Sequence, residues 1–257
     1  MENIDTISQL KEIVARLRAP DGCPWDREQT HSSLRAGLIE ECYEVVDAID
    51  RANDEDMREE LGDLLLNIVM HAQMAGERGS FSLEDIAATV GEKMVRRHPH
   101  VFGNKSANDS EAVLRQWDAI KRQEKGGSSG ILDGLTAGLP ALLRAQNAQK
   151  KVGRVGFDWP DAEPVFAKMA EETAEIREAI QASDSAATEA EVGDLLFTAV
   201  NLARKLGVDA ETALNGSTNR FIGRFQALER ELQSSGREVA GTPLEELDRI
   251  WDKVKKG

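Results

Sequence analysis

The feature that most limits what this chain can fold into is a pattern written twice. "EECYEVVDAIDRANDEDMREELGD", Glu40 to Asp63, and "EETAEIREAIQASDSAATEAEVGD", Glu171 to Asp194, align without a gap at an offset of 131 residues. Glu fills places one, two, five and twenty-one of both 24-residue stretches, and both close on Gly-Asp followed by two leucines. Other landmarks recur in the same order. A Gly- and Trp-bearing turn precedes each stretch, "DGCPWD" from Asp21 and "VGFDWP" from Val155. A basic pair four residues apart follows each, Lys93 with Arg97 and Arg220 with Arg224, and each copy ends on a similar segment around Trp117 or Trp251. Landmarks repeated in one order mark a duplicated domain of roughly 100 residues.

Within each copy the period is helical. Leu38, Cys42, Val45, Val46 and Ile49 fall on one stripe, as do Leu61, Leu64, Leu65, Ile68 and Ala72. "RANDEDMRE" breaks the period between them, and Asp56 with Glu59 has capping-box spacing for a new helix start. Strand signals are nearly absent, so the expected class is all-α, two tandem domains of antiparallel helix pairs. The expected layout is an N-terminal domain over 1–123, a linker and connecting helix over 124–149, and a C-terminal domain over 150–257. "EKGGSSGILDG" from Glu124, rich in Gly and Ser, is the best linker candidate.

Composition excludes several function classes. A net charge of −14 repels nucleic acid. No run approaches the 18 or so apolar residues that span a bilayer, and the charged N-terminal stretch has no signal-peptide core. Cys23 and Cys42 form no CxxC pair, which fits a reducing cytoplasm.

The repeated carboxylates carry the chemistry. On a helix, Glu171 and Glu175 lie at i, i+4, and Glu172 and Glu175 at i, i+3; Glu191 and Asp194 repeat the i, i+3 spacing on the next helix. A short connection between antiparallel helices brings four or five like charges to one patch, where they raise each other's pKa unless compensated. No Lys or Arg lies within the cluster itself at helical spacing. Oxygen ligands without His or Cys suit Mg²⁺, or Mn²⁺, rather than zinc. The first copy offers Glu40, Glu41, Glu44, Glu60 and Asp63. A solvated acidic helix face is the plainer reading. Against it, these residues border the apolar stripe and persist in both copies while their neighbours differ.

Glu-Glu-x-x-Glu, a gap of 15 residues and Glu-x-x-Asp, with "RRHPHVF" at Arg96 to Phe102 and the closing Trp segment, resembles the MazG family of nucleoside triphosphate pyrophosphohydrolases. The resemblance covers nearly the whole chain. It implies an all-α, Mg²⁺-dependent, homodimeric enzyme that splits (d)NTPs between the α- and β-phosphates into NMP and pyrophosphate. Carried over residue by residue, it implies Glu172, Glu175, Glu191 and Asp194 as metal ligands. Lys168, Glu171, Glu172, Glu191, Asp194, Arg220, Arg224 and Trp251 become substrate-binding positions. Glu41, Glu44, Glu60 and Asp63 form a second, weaker metal set. Arg220 stands where a Lys is usual, so a planar fork replaces a point charge. Glu171 is a candidate base, though the sequence does not separate base from ligand among five carboxylates.

The copies are unequal. Lys168, Thr198 and Asn201 correspond to Gly37, Asn67 and Met70. Loss of a phosphate-gripping cation makes the first domain the expected weak, regulatory or structural copy. Other motifs weigh less. "HPH" at His98 reads as a turn, and Glu28-x-x-His31 lacks the second such unit that a di-iron bundle requires. Trp25 and Trp159 are expected to pin the start of each domain. The rival readings are a base-restricted dUTP- or dCTP-type all-α pyrophosphatase and a non-enzymatic helical dimerisation scaffold.

Overall fold

A computed structural model describes residues 6–124 and 130–256 of the chain. Residues 125–129, the middle of the linker candidate, lie outside the described residues. The chain separates into two compact units, Met1–Glu124 and Lys125–Gly257. Among the described residues there are twelve helices and no strand, so the fold class is all-α. None of these helices is long and apolar enough to cross a membrane.

The first unit runs α1 (Ile7–Arg18), α2 (Pro24–Glu28), α3 (Arg35–Asp50), α4 (Asp54–Glu77), α5 (Leu83–Arg97), α6 (Pro99–Phe102) and α7 (Ser110–Glu124). The second runs α8 (Ala141–Gly153), α9 (Glu163–Gln181), α10 (Ser185–Lys205), α11 (Ala210–Ser234) and α12 (Leu244–Lys256). Five helices of the first unit have counterparts in the second, and the short α2 and α6 have none among the described residues. α3 pairs with α4 as α9 pairs with α10; α1 packs on α4 as α8 packs on α10; α5 meets α7 as α11 meets α12. The helix expected to connect the repeats, α8, is therefore a full member of the second unit. Its buried Gln146 donates to the Val208 carbonyl and accepts from the Ala210 N–H, and its buried Gln149 donates to the Phe197 carbonyl.

The central hairpins share one turn. Ala52 and Ser183, 131 residues apart, both adopt positive φ, 51° and 57°. The next residues, Asn53 and Asp184, send their N–H groups back to the carbonyls of the buried Ala48 and Ala179, each at 3.0 Å. This six-to-one closure ends the first helix. The same two residues cap the second. Asn53 accepts from Glu55 N–H and Asp56 N–H, and Asp184 from Ala187 N–H. Helix α4 thus begins at Asp54 on an Asn cap. The Asp56–Glu59 spacing plays no capping part, because both residues already lie inside the helix.

Burial corrects the stripe predicted for α3. Its buried residue is Ala48, whereas Cys42, Val46 and Ile49 are exposed. On α4, Ala72 is buried and Leu65 packs on the Val14–Val69–Met70 core, while Leu61 and Ile68 are exposed. Single units of paired helices leave part of each apolar face open. Trp25 is 63% exposed and pins nothing. The entrance of the second unit is held instead by Asp158, ion-paired with Arg204 and, at 2.8 Å, with Lys205. Those partners, Arg204 first, hold the Asp158 carboxyl at about 2.

Candidate active site

Helix α9 turns the Glu-Glu-x-x-Glu segment toward α10. Glu172, on the inner line of α9, is 3% exposed although nothing apolar about a carboxylate favours that position. Carboxylate oxygens of Glu172, Glu175 and Glu191 all lie within 4.8 Å of one another. Asp194, one turn beyond Glu191, stands outside that trio, and so does Glu171, whose side chain is 58% exposed.

A buried carboxylate needs a partner, since taking an unpaired ion out of water costs several kcal/mol. Lys168 supplies one. Its Nζ lies 2.8 Å from Glu171 Oε1 and 2.8 Å from Glu172 Oε1. The two carboxylates, Glu171 first, raise the lysine above its ordinary range. This corrects the expectation of a cluster without its own cation: one turn of α9 places Lys168 beside both acids. Compensation is still incomplete. Glu175 is pushed up, first by loss of solvent and then by Glu191, Glu172 and Glu171, against the opposing pull of Lys168. One ammonium facing four carboxylates leaves a negative, all-oxygen pocket, and that donor set fits a hard divalent cation.

The first unit assembles its trio differently. Glu41 from α3 meets Glu60 and Asp63 from α4 within the same 4.8 Å, and Glu44 falls outside. Two carboxylates of the trio come from the second helix of the hairpin in this copy and from the first helix in the other. Position 37, the counterpart of Lys168, is Gly with nothing within 4 Å of an added Cβ. No lysine therefore reaches this cluster from that place. Glu41 is raised by loss of solvent, then by Asp63 and Glu44, and Glu60 by loss of solvent, then by Glu44.

Arg220 and Arg224 stand one turn apart on α11, which packs against α10. Among the described residues neither is ion-paired with a carboxylate. Trp251 on α12 lies 5.3 Å from Phe221 of α11, so it closes the α11–α12 seam with one face while remaining half-buried. Thr198 and Asn201, on the turns of α10 that follow Asp194, are 5% and 6% exposed. Asn201 accepts from Arg204 Nη2 at 2.9 Å. It also lines a cavity of ≈ 530 Å³ together with Gln149, Phe157, Trp159 and Phe197. The sequence pattern marked the Val155–Pro160 turn as a landmark, but not this cavity, because its walls come from three separated segments.

The remaining motif residues have structural roles. His98 closes α5 and donates through Nδ1 to the Met94 carbonyl, and the short helix α6 starts at Pro99 where a plain turn was expected. His31 stacks on His71 with Nδ1 atoms 2.7 Å apart, and Glu28 takes no part.

Fold and site together define a class: a tandem all-α protein with an acidic cluster that could hold a cation on the central hairpin of each repeat. The MazG nucleotide pyrophosphohydrolase domain is matched twice along the chain, over residues 29–102 and 162–228. The chain is 47% identical to the nucleoside triphosphate pyrophosphohydrolase/pyrophosphatase MazG of Thermotoga maritima over 250 residues, 97% of this chain and 95% of that protein. It is 46% identical to the nucleoside triphosphate pyrophosphohydrolase of Escherichia coli strain K12, covering 98% of both. It is also 42% identical to the uncharacterized protein YabN of Bacillus subtilis, over 97% of this chain and 51% of that protein. The chain belongs to the MazG nucleotide pyrophosphohydrolase family.

Proposed function

We propose that the protein hydrolyses nucleoside triphosphates to the monophosphate and pyrophosphate, and that the second unit does the work. The observation that carries this reading is the trio Glu172, Glu175 and Glu191 with Lys168 on its rim. Those three carboxylates, with Asp194 beside them, would hold Mg²⁺. The chemistry that ion supplies is charge neutralisation on the phosphate oxygens and a lowered pKa for water. The chain's own residues do the rest. Lys168 is positioned to exchange its carboxylate partners for phosphate oxygens. Arg220 and Arg224, not ion-paired among the described residues, present guanidinium forks, which suit phosphate geometry. Glu171, exposed and outside the trio, accepts the proton of the attacking water. Trp251 offers its free face to the nucleotide.

Base acceptance is broad on this reading. Phe157, Trp159 and Phe197 around the α10 cavity offer stacking faces, and stacking is tolerant of base identity. The first unit, whose Lys168 counterpart is Gly37, is a weak, regulatory or structural copy. Two chains associate as a homodimer through the apolar helix faces that one chain leaves open, among them Val192, Leu196, Phe221 and Ile222. Gly193, in the interior of α10, supports this. Glycine there costs about 1 kcal/mol against alanine, and nothing in the chain lies within 4 Å of an added Cβ. A cytoplasmic location follows from the nucleotide substrates and is consistent with free Cys23 and Cys42.

The test is product identification. The full-length protein is incubated with each NTP and dNTP, with and without Mg²⁺. Monophosphate plus pyrophosphate, formed only with the metal, is expected. Diphosphate plus orthophosphate, or no turnover on any nucleotide, overturns the reading.

A further inference from the structure

The first unit concentrates cationic and aromatic groups at a place that the activity above does not use. Glu124, the last residue of α7, is gripped by two arginines from the end of α5. Arg97 Nη2 lies 2.5 Å and Arg97 Nε 3.1 Å from Glu124 Oε2, and Arg96 Nε lies 2.6 Å from Oε1. The Arg97 guanidinium sits 5.1 Å over the ring of Trp117, and His98 packs edge-on against the same ring at 5.1 Å. His100 lies 5.5 Å from His98. The Arg97 side chain is only 14% exposed and that of Glu124 21%. In a chain of net charge −14, two arginines share one carboxylate here.

The repeat gives this cluster a meaning. Arg97 and Trp117 occupy the places that Arg224 and Trp251 hold in the second unit. There the arginine has no carboxylate partner among the described residues. We infer that Glu124 is a built-in stand-in for phosphate. Its carboxylate fills an anion site of the first unit that takes the terminal phosphates of a polyphosphate, and the site opens only when Glu124 leaves. A guanidinium fork binds carboxylate and phosphate by the same two-point geometry. An incoming polyphosphate must therefore compete with Glu124 for Arg97.

The position of Glu124 makes displacement reasonable. A carboxylate at a helix C-terminus meets the negative end of the helix dipole, so α7 does not favour it there. The arginines hold it. A polyphosphate, with more charge and more oxygens, satisfies Arg96 and Arg97 together. This inference rests on the correspondence of Arg97 with Arg224, part of the functional reading above, but its test reads binding and never turnover.

Calorimetric titrations use the full chain carrying Arg220→Ala and Arg224→Ala, in EDTA and at low salt, so that neither the second unit's arginines nor a metal contributes, and Lys168 is common to every variant compared. The probes are inorganic pyrophosphate and α,β-methylene-ATP, which separate the anion alone from a whole nucleotide. Adding Glu124→Gln is expected to tighten pyrophosphate binding at least tenfold. The gain should shrink as salt screens the charges and disappear when Arg97→Lys is added, since lysine keeps the charge without the fork. Arg97→Lys also retains a folded unit, checked by circular dichroism, where deletion of the charge could unfold it. An ion pair that is only structural would lower the melting temperature of Glu124→Gln and add no affinity. That outcome, or a gain that survives Arg97→Lys, overturns the inference. A product assay that failed would leave these titrations standing, and the reverse holds equally.

Discussion

Lys168 shows what a single residue contributes to this site. It holds Glu171 and Glu172 at 2.8 Å each, and Glu172 is the buried member of the trio. Removing the ammonium strands a carboxylate, at a cost of about 1–3 kcal/mol or more for a charged group. Lys168→Met in EDTA is therefore expected to lower the melting temperature of the second unit by several degrees. Mg²⁺ should recover most of that loss, because a cation in the pocket replaces the missing charge. A variant equally stable in EDTA would show that Glu172 does not depend on Lys168. The EExxE spacing made the carboxylates legible at this scale. The ion pair was not, because Lys168 lies one turn outside the motif, at i−4 from Glu172, where spacing alone does not tell a paired lysine from a solvated one.

At the scale of the element, the two hairpins are the units that repeat most faithfully. Ala52 and Ser183 sit in the left-handed region at the same turn, which costs a non-glycine residue roughly 1–2 kcal/mol. Both are exposed, so a glycine would relieve strain without opening a cavity. After the larger entropy loss of glycine is subtracted, Ala52→Gly and Ser183→Gly should each stabilise their unit by about 0.5 kcal/mol. Denaturant unfolding measures this, and a destabilised pair would mean that the turn is not strained. The all-α class and the paired central helices of each copy were readable from the 3.6-residue period. The caps were not, because Asn53 and Asp184 act through a turn whose φ sign no propensity specifies at Ala or Ser. The membership of α8 was obscured for a related reason. A helical pattern next to a Gly-Ser run looks like a connection until Gln146 and Gln149 are seen bonded to the backbone around α10 and α11.

For the whole molecule, duplication has produced two unequal units. Both units gather a carboxylate trio, but among the described residues only the second has a lysine beside it and arginines not ion-paired on the following helix. Glu172→Gln with Glu175→Gln should abolish turnover, a loss of at least a hundredfold. Glu41→Gln with Glu44→Gln should leave most of it. The opposite pattern would assign catalysis to the first unit. The sequence by itself determined the helical class, the two repeats and the carboxylate positions, because periodicity and spacing are properties of the chain. Tertiary structure decided which three carboxylates meet in each copy, which one is buried, and which cations are already spent on internal partners. Those outcomes depend on how neighbouring helices rotate and approach. Rotation of a hairpin by a fraction of a turn exchanges Glu44 for Asp63 in the first trio, or Asp194 for Glu175 in the second, with no change in the pattern that encodes them.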